Sequence, residues 1–406
     1  MSGNVTCDKE TMTNKPVVSF VKALWYTMLR ECGIIQRDAM YAVCLFLFPL
    51  LVTVFFTTLM DEGQPADIPV GVVDLDNSAT SRNIIRRLDA FQNSHVVGKY
   101  SSVNQARKAM QRGEIYGFLL LPEAMSADLV AGRQPKVSFY YTMTSLTAGS
   151  LVYKDLRTIA TLGSAAVGQT SLRAKGATDK QVMTFLQPIV VSLHQISNPY
   201  TNYNVYLSTM LVPGVIMLFI FLVTAYSLGT EIKYGHSKQW LEKAGDNIVV
   251  AVTGKMIPQA LVSLVVVYGY MVYVYAFLHF PCPGGWGILL LSGLLIVLAA
   301  EGFGLFVFAL MPSMRMSMSV CSLWAVLSFS MVGTAYPVTS MDPALQSLSW
   351  LFPLRHYFVI YQTSIFNDYP LSDVFWHVIA LVAFAMLPII MLPKLHNAMK
   401  NYEYIP

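Results

Sequence analysis

Charged side chains are scarce in this sequence. They make up 12% of its 406 residues, about half the fraction that is usual in soluble domains. The scarcity is uneven, because 25 of the 50 charged residues lie between Asp61 and Val205. The rest of the chain carries apolar runs long enough to cross a bilayer. Composition therefore excludes a chain built only of soluble domains and predicts a water-soluble segment inserted into a membrane protein.

The motifs of nucleotide and metal chemistry are missing as well. The nearest approach to a phosphate-binding loop is Gly254-Lys255, but Met256 follows it and Val249 stands where a glycine is required. His, Cys, Asp and Glu nowhere show the spacing of metal ligands, and no nucleophile motif frames a serine. We therefore expect no catalytic site, no cofactor and no metal in this chain. Its net charge of +4 does not point to nucleic acid.

Cysteine is absent from the charged segment. The five cysteines are Cys7, Cys32, Cys44, Cys282 and Cys321. The segment therefore has no disulfide framework, even if it faces an oxidising compartment. A small-residue cleavage site is also lacking after the first apolar run. We expect that run to be an uncleaved first transmembrane helix.

Six apolar stretches reach the length of about 20 residues that a helix needs to cross a hydrocarbon core of about 30 Å. They are Ala39–Met60, Tyr206–Thr230, Met256–Leu278, Trp286–Met311, Met316–Tyr336 and Val374–Leu392. These stretches predict a polytopic α-helical membrane protein with six transmembrane helices. The first occupies 39–60, the other five lie within 206–393, and 394–406 forms a tail.

Basic residues set the orientation. Thirteen Lys and Arg residues lie outside 61–205, and with six crossings all but Arg355 fall on one side of the bilayer. Because Lys and Arg concentrate in cytoplasmic loops, this distribution predicts two cytoplasmic termini. It places 61–205 on the outer side of the membrane.

A helical stripe precedes the first span. Val17, Val21, Leu24 and Met28 recur at helical spacing, with Trp25 beside them. This pattern predicts that 1–38 contains an amphipathic helix lying in the cytoplasmic interface of the lipid bilayer. A soluble helix that packs on a partner would show the same stripe.

The segment 61–205 has an α/β pattern. Buried strands are predicted at Ile68–Asp74, Tyr116–Leu121 and Val137–Tyr141, and a polar strand near His95–Lys99. Helices between these strands indicate a small mixed sheet with helical cover. Leu151–Phe185 is predicted to be a long helix, broken or bent near Gly163 and Gly176.

Residues 337–372 are too apolar for an ordinary loop and too interrupted by proline for a span. We expect short re-entrant or interfacial helices on the outer side of the membrane.

The segment 61–205 contains a patterned run of acids and serines. Asp74, Asp76, Ser78 and Ser81, followed by Leu88-Asp89, form the run D-x-D-x-S-x-x-S … L-D. This run resembles the permease subunit of ABC-2-type (type V fold) ABC exporters. It is similar in particular to the branch with a large extracytoplasmic domain between the first and second spans.

Two further motifs carry the same resemblance. Glu231-x-x-x-Gly235 with Trp240-Leu241 is similar to the family's cytoplasmic segment that touches the ATPase, and His236 stands where Thr is usual. The resemblance implies a coupling segment at 231–246 that contains Glu231, Gly235, His236, Trp240 and Leu241. Pro337 and Met341, followed by Pro353 and Tyr357, resemble a sequence motif that marks the outer side of the family's membrane domain. These four residues are implied to form an outer re-entrant gate.

Glu301 lies in the middle of the fourth predicted span, where a carboxylate costs about 2.5–3.5 kcal/mol on insertion scales. One interpretation places it on a translocation path or at a dimer seam. The other is a protonated side chain bonded to a neighbouring helix, with Gly302 and Gly304 allowing close approach. The tyrosines at 268, 270, 273 and 275 indicate an interfacial aromatic belt, with a surface for amphipathic substrates as the alternative.

The resemblance implies the membrane subunit of an ATP-driven exporter of small amphipathic or drug-like molecules. ATP and Mg²⁺ would be used by a separate ABC ATPase subunit, because this chain lacks a nucleotide motif. The implied partners are a second permease copy or paralogue and a periplasmic adaptor protein. The rival hypothesis is an envelope receptor or assembly protein that acts through 61–205. The five spans after that segment exceed what a receptor needs.

Overall fold

The computed structural model describes residues 20–188, 192, 194, 198 and 201–402. Predictions that fall on 1–19, including Val17 of the amphipathic stripe, and on 403–406 lie outside the described residues. The chain divides into two compact units, one formed by Met60–Asn204 and the other by the residues before and after it.

Up to Leu186 the chain alternates helices and strands. The elements are α1 (Phe20–Arg37), α2 (Ala39–Leu59), β1 (Ile68–Asp74), α3 (Ala79–Asp89), β2 (Ser94–Lys99), α4 (Val103–Gln111), β3 (Gly117–Leu121), α5 (Met125–Val130), β4 (Ser138–Tyr141), α6 (Leu146–Ala174) and α7 (Asp179–Leu186).

From Tyr203 onward the described chain is helical. The elements are α8 (Tyr203–Lys233), α9 (Ser237–Lys243), α10 (Ile248–Phe277), α11 (Gly285–Leu310), α12 (Met314–Met331), α13 (Pro343–Ser349), α14 (Pro353–Ile360) and α15 (Leu371–Asn401).

The unit Met60–Asn204 is built on a four-stranded sheet in the order β2-β1-β3-β4. β1 pairs in parallel with β2 and β3, and β4 is antiparallel to β3. Val70, Val72 and Val73 of β1 are fully buried, because helices cover both faces of a central parallel strand. α6 runs through Gly163 without a break and ends near Gly176, where φ is +83°. The helix is therefore not broken at Gly163, and the predicted break lies near Gly176.

The acid and serine run at the end of β1 forms hydrogen bonds that cap α3 and α5. Ser78 caps α3 by accepting from the Ser81 amide, and the buried Ser81 hydroxyl donates to Asp74 at 2.8 Å. Asp76 accepts from the amide and hydroxyl of Ser126 at the start of α5. The residue that precedes α5, Ala124, has no side-chain acceptor and a φ of +56°. Asp76 thus satisfies a helix N-terminus that cannot cap itself.

In the second unit, five helices are long and apolar enough to cross a membrane: α2, α8, α10, α11 and α15. The sixth predicted span, Met316–Tyr336, is not among them. Its helix α12 has 18 residues, which extend about 27 Å, and it contains Arg315 and five serines.

α12 nevertheless lies along α8 and runs antiparallel to it. A Cβ on Gly229 would lie 2.6 Å from Met314, and one on Gly214 would lie 2.4 Å from the ring of Phe329. Beyond α12, the Tyr206 hydroxyl at the start of α8 donates to the Thr334 carbonyl. α12 and the turn after it therefore extend along α8 from one end to the other.

The centre of the bundle is formed by α8 and α11, whereas α2 and α15 are the most exposed spans. Phe221 and Phe303 meet between the two central helices, with ring centroids 4.9 Å apart. At one end, which we call the basal end, a hydrophobic cluster joins α1, α8, α9, α10, α11 and α15. Its members include Ala23, Leu228, Trp240, Val250, Phe308 and Leu395.

Residues 337–372 form short helices, as the proline pattern predicts. A 3₁₀ turn at Val338–Ser340 precedes α13, and a π-helical turn at Tyr361–Phe366 continues α14. Pro343 and Pro353 occupy the first turns of α13 and α14, where a missing amide hydrogen costs nothing.

The capping role of Asp76 gives a testable prediction. Burial raises its pKa, but hydrogen bonds from Ser78 and Ser126 outweigh burial and hold the pKa below the ordinary value of 3.8. The stabilisation is therefore present above pH 3.8 and is lost as pH falls through the depressed pKa. Asp76→Ala should destabilise this unit by about 1 kcal/mol at pH 7, measured by thermal unfolding of the full chain.

The matched control is Asp61→Ala, an exposed acid for which no capping contact is seen among the described residues. The difference between wild type and Asp76→Ala should shrink below about pH 4. An equal loss of stability in both variants would contradict the capping role.

Candidate functional site

The basal end contains a short helix held between two tight turns. α8 ends at Lys233, and Gly235, with a φ of +70°, allows the chain to reverse after it. The amides of Gly235 and His236 then close the turn on the carbonyls of Ile232 and Glu231. After α9, Gly245 has a φ of +69°, and Asn247 caps α10. This turn–helix–turn is the predicted coupling segment 231–246.

α9 has two distinct faces. Trp240 and Leu241 are buried in the basal cluster, with Trp240 fully inaccessible. The opposite face is exposed and carries Lys238, Gln239, Glu242 and Lys243. One face of α9 is therefore anchored in the bundle, and the other is free to meet a partner.

An ion network of four charged residues lies directly beneath α9. Arg30 of α1 binds Glu231 of α8 through two hydrogen bonds of 2.7 and 2.8 Å. Lys255 of α10 lies 2.9 Å from Glu231 and 2.7 Å from Glu31 of α1. Glu31, Glu231 and Lys255 are each no more than 3% exposed. The network thus joins three helices through buried charges.

Neutral side chains complete the shell around Glu31. Gln259 and Ser227 bond its Oε1 atom at 3.0 and 3.2 Å, and Tyr41 approaches the same atom at 3.3 Å. Lys255 also lies 5.5 Å from the ring of Trp240, within the range of a cation–π contact. That contact connects the anchored face of α9 to the ions.

Close helix packing makes the network possible. α1 crosses α10 at Gly254, where a Cβ would lie only 2.7 Å from Thr27. The missing side chain lets the next turn of α1 bring Glu31 against Lys255 and Arg30 against Glu231. The two positive and two negative charges balance, which a buried cluster requires because each unpaired ion would cost several kcal/mol. Burial lowers the pKa of Arg30, but Glu231 outweighs burial and raises it above its ordinary value.

The structure brings together three of the five predicted coupling residues. Glu231, Trp240 and Leu241 meet in the basal end, whereas Gly235 and His236 form the exposed turn before α9. Sequence reasoning missed Arg30, Glu31, Lys255 and Gln259 as members of the site. Two features of the sequence could have indicated them: Glu31 lies within the amphipathic helix, and Lys255 directly precedes an apolar run.

Glu301 is 3% exposed and lies inside the bundle. Its Oε1 atom has no hydrogen-bond partner within the described chain, and the same holds for the hydroxyl of Thr224. Gly302 packs on the backbone of α15 at Phe384, and Gly304 packs on α8. The close approach expected from these glycines is present. A role on the translocation path or at a dimer seam stays a prediction.

The four predicted gate residues have different environments. Pro353 and Tyr357 are buried, Tyr357 to 2% exposure, while Met341 is half-buried and Pro337 is exposed. The gate assignment stays a prediction.

The predicted aromatic belt is wrong for two of its tyrosines. Tyr270 and Tyr275 are buried in the core at 6% and 8% exposure. The Tyr270 hydroxyl donates to the Ser208 carbonyl at 3.0 Å.

The five long apolar helices indicate a multi-pass membrane protein. No group of three or more potential metal ligands occurs in the described residues. Residues 40–392 match the family model described as "ABC-2 family transporter protein". The chain therefore belongs to the ABC-2 transporter family, whose permeases work with an ABC ATPase subunit.

A relative supports the same family. Over 109 residues the chain is 25% identical to the linearmycin resistance permease protein LnrN of Bacillus subtilis (strain 168). That match covers 27% of this chain and 28% of the relative. The chain is thus an ABC transporter permease by family, and the aligned part spans about a quarter of the curated relative.

Removing one charge from the ion network should be costly. Lys255→Met leaves Glu31 without its cation and should destabilise the protein by about 3–5 kcal/mol. The double variant Glu31→Gln/Lys255→Met removes one charge of each sign and should recover most of that loss. Thermal unfolding of the purified permease measures both effects.

The control is Lys400→Met, which removes an exposed ion pair with Asp246 and should cost no more than about 1 kcal/mol. If Lys255→Met behaves like this control, the network does not hold the basal end together. If the double variant is as unstable as the single one, charge balance is not the reason.

Proposed function

We propose that this chain is the membrane subunit of an ATP-driven exporter of small amphipathic or drug-like molecules. Membership of the ABC-2 family supports a transporter permease. The observation that carries the coupling part of the proposal is the two-faced helix α9. Its exposed face, with Lys238 and Lys243, docks a separate ATPase that uses ATP and Mg²⁺. Its buried face, with Trp240, contacts the ion network.

This arrangement offers a physical route for the energy of ATP. A push on α9 moves Trp240 against Lys255, and the network then moves α1, α8 and α10 as one body. Glu231 and Lys255 lie in the helices that form the second and third spans. A displacement of the exposed helix is therefore transmitted into the membrane segments without a flexible link.

We further infer that α12 is a sixth crossing. Its antiparallel course along α8, from Gly229 to Tyr206, supports this topology. With six crossings the basal end is cytoplasmic, α1 lies in the inner leaflet interface, and Met60–Asn204 is periplasmic. Phe20, Trp25 and Leu29 of α1 are exposed, which suits contact with lipid.

Two copies of the chain, or a paralogous pair, would form the complete pathway in a bacterial inner membrane. The periplasmic unit would meet an adaptor protein. The outer segment 337–372, with Pro337, Met341, Pro353 and Tyr357, would gate release. Glu301 would contribute to the pathway or to the seam between copies.

Docking of the ATPase on α9 can be tested by co-purification. The tagged chain, isolated in mild detergent from its own host, should retain a nucleotide-hydrolysing subunit. Lys238→Glu/Lys243→Glu should reduce its recovery about tenfold or more, because opposed charges at an interface cost several kcal/mol.

Lys180→Glu reverses an exposed lysine of α7 and should leave recovery unchanged. The absence of any nucleotide-hydrolysing chain in the wild-type preparation would overturn the exporter proposal. Unchanged recovery in the double variant would overturn the docking role of α9 alone.

The six-crossing topology can be tested by cysteine labelling. In a cysteine-free background, Ser340→Cys and Lys180→Cys should react with an impermeant maleimide in intact spheroplasts. Gln239→Cys on α9 should react only after lysis. All three substituted residues are exposed, so a failure to label reports the side of the membrane. Labelling of Gln239→Cys in intact spheroplasts would refute the topology.

A further inference from the structure

Two histidines from different helices share a hydrogen bond away from the basal end. The Nδ1 atom of His356 on α14 lies 2.8 Å from the Nδ1 atom of His377 on α15. The other ring nitrogen of His356, Nε2, lies 2.9 Å from the carbonyl oxygen of Trp350. Trp350 is the residue that follows α13, so the three residues connect α13, α14 and α15.

The bonding partners determine where the protons are. A carbonyl oxygen only accepts, so Nε2 of His356 carries a hydrogen and donates to Trp350. In the neutral ring the Nδ1 atom of His356 is then an acceptor. The Nδ1 atom of His377 must therefore carry the hydrogen of the bond between the rings, which leaves its Nε2 atom free of hydrogen.

The pair lies among aromatic side chains, with Arg355 as the neighbouring charge. His356 is fully buried and His377 is half-buried. The ring of Trp350 stacks on His377 with centroids 5.0 Å apart and an interplanar angle of 18°. Burial lowers the pKa of His356, its bond to Trp350 opposes this, and Arg355 lowers the pKa further.

Charged and titratable groups on the neighbouring elements are few. On α14 itself, Arg355 donates to the Val332 carbonyl. α11 contributes Glu301, and the first turn of α15 contributes Asp373, which accepts from Ser372. α12 carries Cys321 and, at its basal end, Arg315, while α13 is preceded by its cap Asp342. None of these acids forms a hydrogen bond with either histidine among the described residues.

We propose that His356 and His377 form a proton-binding site whose occupancy decides whether α13 and α14 stay fastened to α15. One added proton enters at Nε2 of the half-buried His377, and the hydrogen between the two Nδ1 atoms remains shared. Every hydrogen bond of the pair survives this step. A second proton puts hydrogen on both Nδ1 atoms, which then face each other at 2.8 Å. The bond becomes a repulsion between two cations, and the rings separate.

The consequence is a latch that opens as pH falls. The pair is closed with zero or one added proton and opens with two, so acidification loosens α13 and α14 from the last span. Two rings that bind protons in succession titrate as one coupled unit. The inference goes beyond the proposed exporter function, because it depends only on the contact between the three helices and not on transport.

Thermal unfolding of the purified full chain tests the latch. Between pH 7.5 and 5 the wild-type melting temperature should fall by about 3 °C or more. The unfolded chain frees both imidazoles to bind protons near their ordinary pKa of about 6.5, whereas burial holds the pKa of His356 lower in the closed pair. His377→Phe keeps a ring against Trp350 but cannot be protonated, and its melting temperature should change less over the same range. His377→Gln serves the same purpose if the phenylalanine variant does not fold.

The matched control is His279→Asn, an exposed histidine in the turn between α10 and α11. Asparagine tolerates the φ of +53° found there, and this variant should keep the wild-type pH dependence. A second readout is tryptophan fluorescence, which acid should change in wild type and His279→Asn but not in Trp350→Phe. The same pH dependence in wild type and both His377 variants would overturn the proposal.

Discussion

A charge removed from water must find a partner of opposite sign, and this constraint organises the basal end of the protein. Glu31, Glu231 and Lys255 are almost inaccessible, and Arg30 is mostly covered. None of them could be buried alone at a reasonable cost in free energy. Their partners lie on three different helices. Satisfying the charges therefore fixes how α1, α8 and α10 are placed, independently of the less directional hydrophobic packing around them.

The buried charges also help to stabilise the short helix α9. Seven residues of isolated helix would not be stable in water. α9 persists because Trp240 and Leu241 are buried, and because Trp240 lies over the ammonium group of Lys255. A segment held in this way moves with the helices beneath it. The lysines on its outer face are exposed, so this short element has one anchored face and one face open to solvent.

Motifs that carry a family resemblance need not act at a functional site. The acid and serine run of Met60–Asn204 consists of caps and turns: Ser78 and Ser81 begin α3, and Asp76 satisfies α5. Glu231 differs from these residues, because it belongs to a motif of the resemblance and also joins the buried ion network. The resemblance implied a surface that touches an ATPase, whereas the side chain faces inward and joins the charges of α1 and α10.

Hydrophobic run length and the placement of basic residues determined that this protein crosses a membrane many times, because those properties are local and additive along the chain. Strand patterns determined the sheet of Met60–Asn204 for the same reason. Glu31 and Lys255 are 224 positions apart in the sequence, so no local pattern could pair them. Only the tertiary structure, through the close crossing of α1 and α10 at Gly254, decided that four scattered charges form one network. Whether two distant histidines meet is decided in the same way, by how the helices pack.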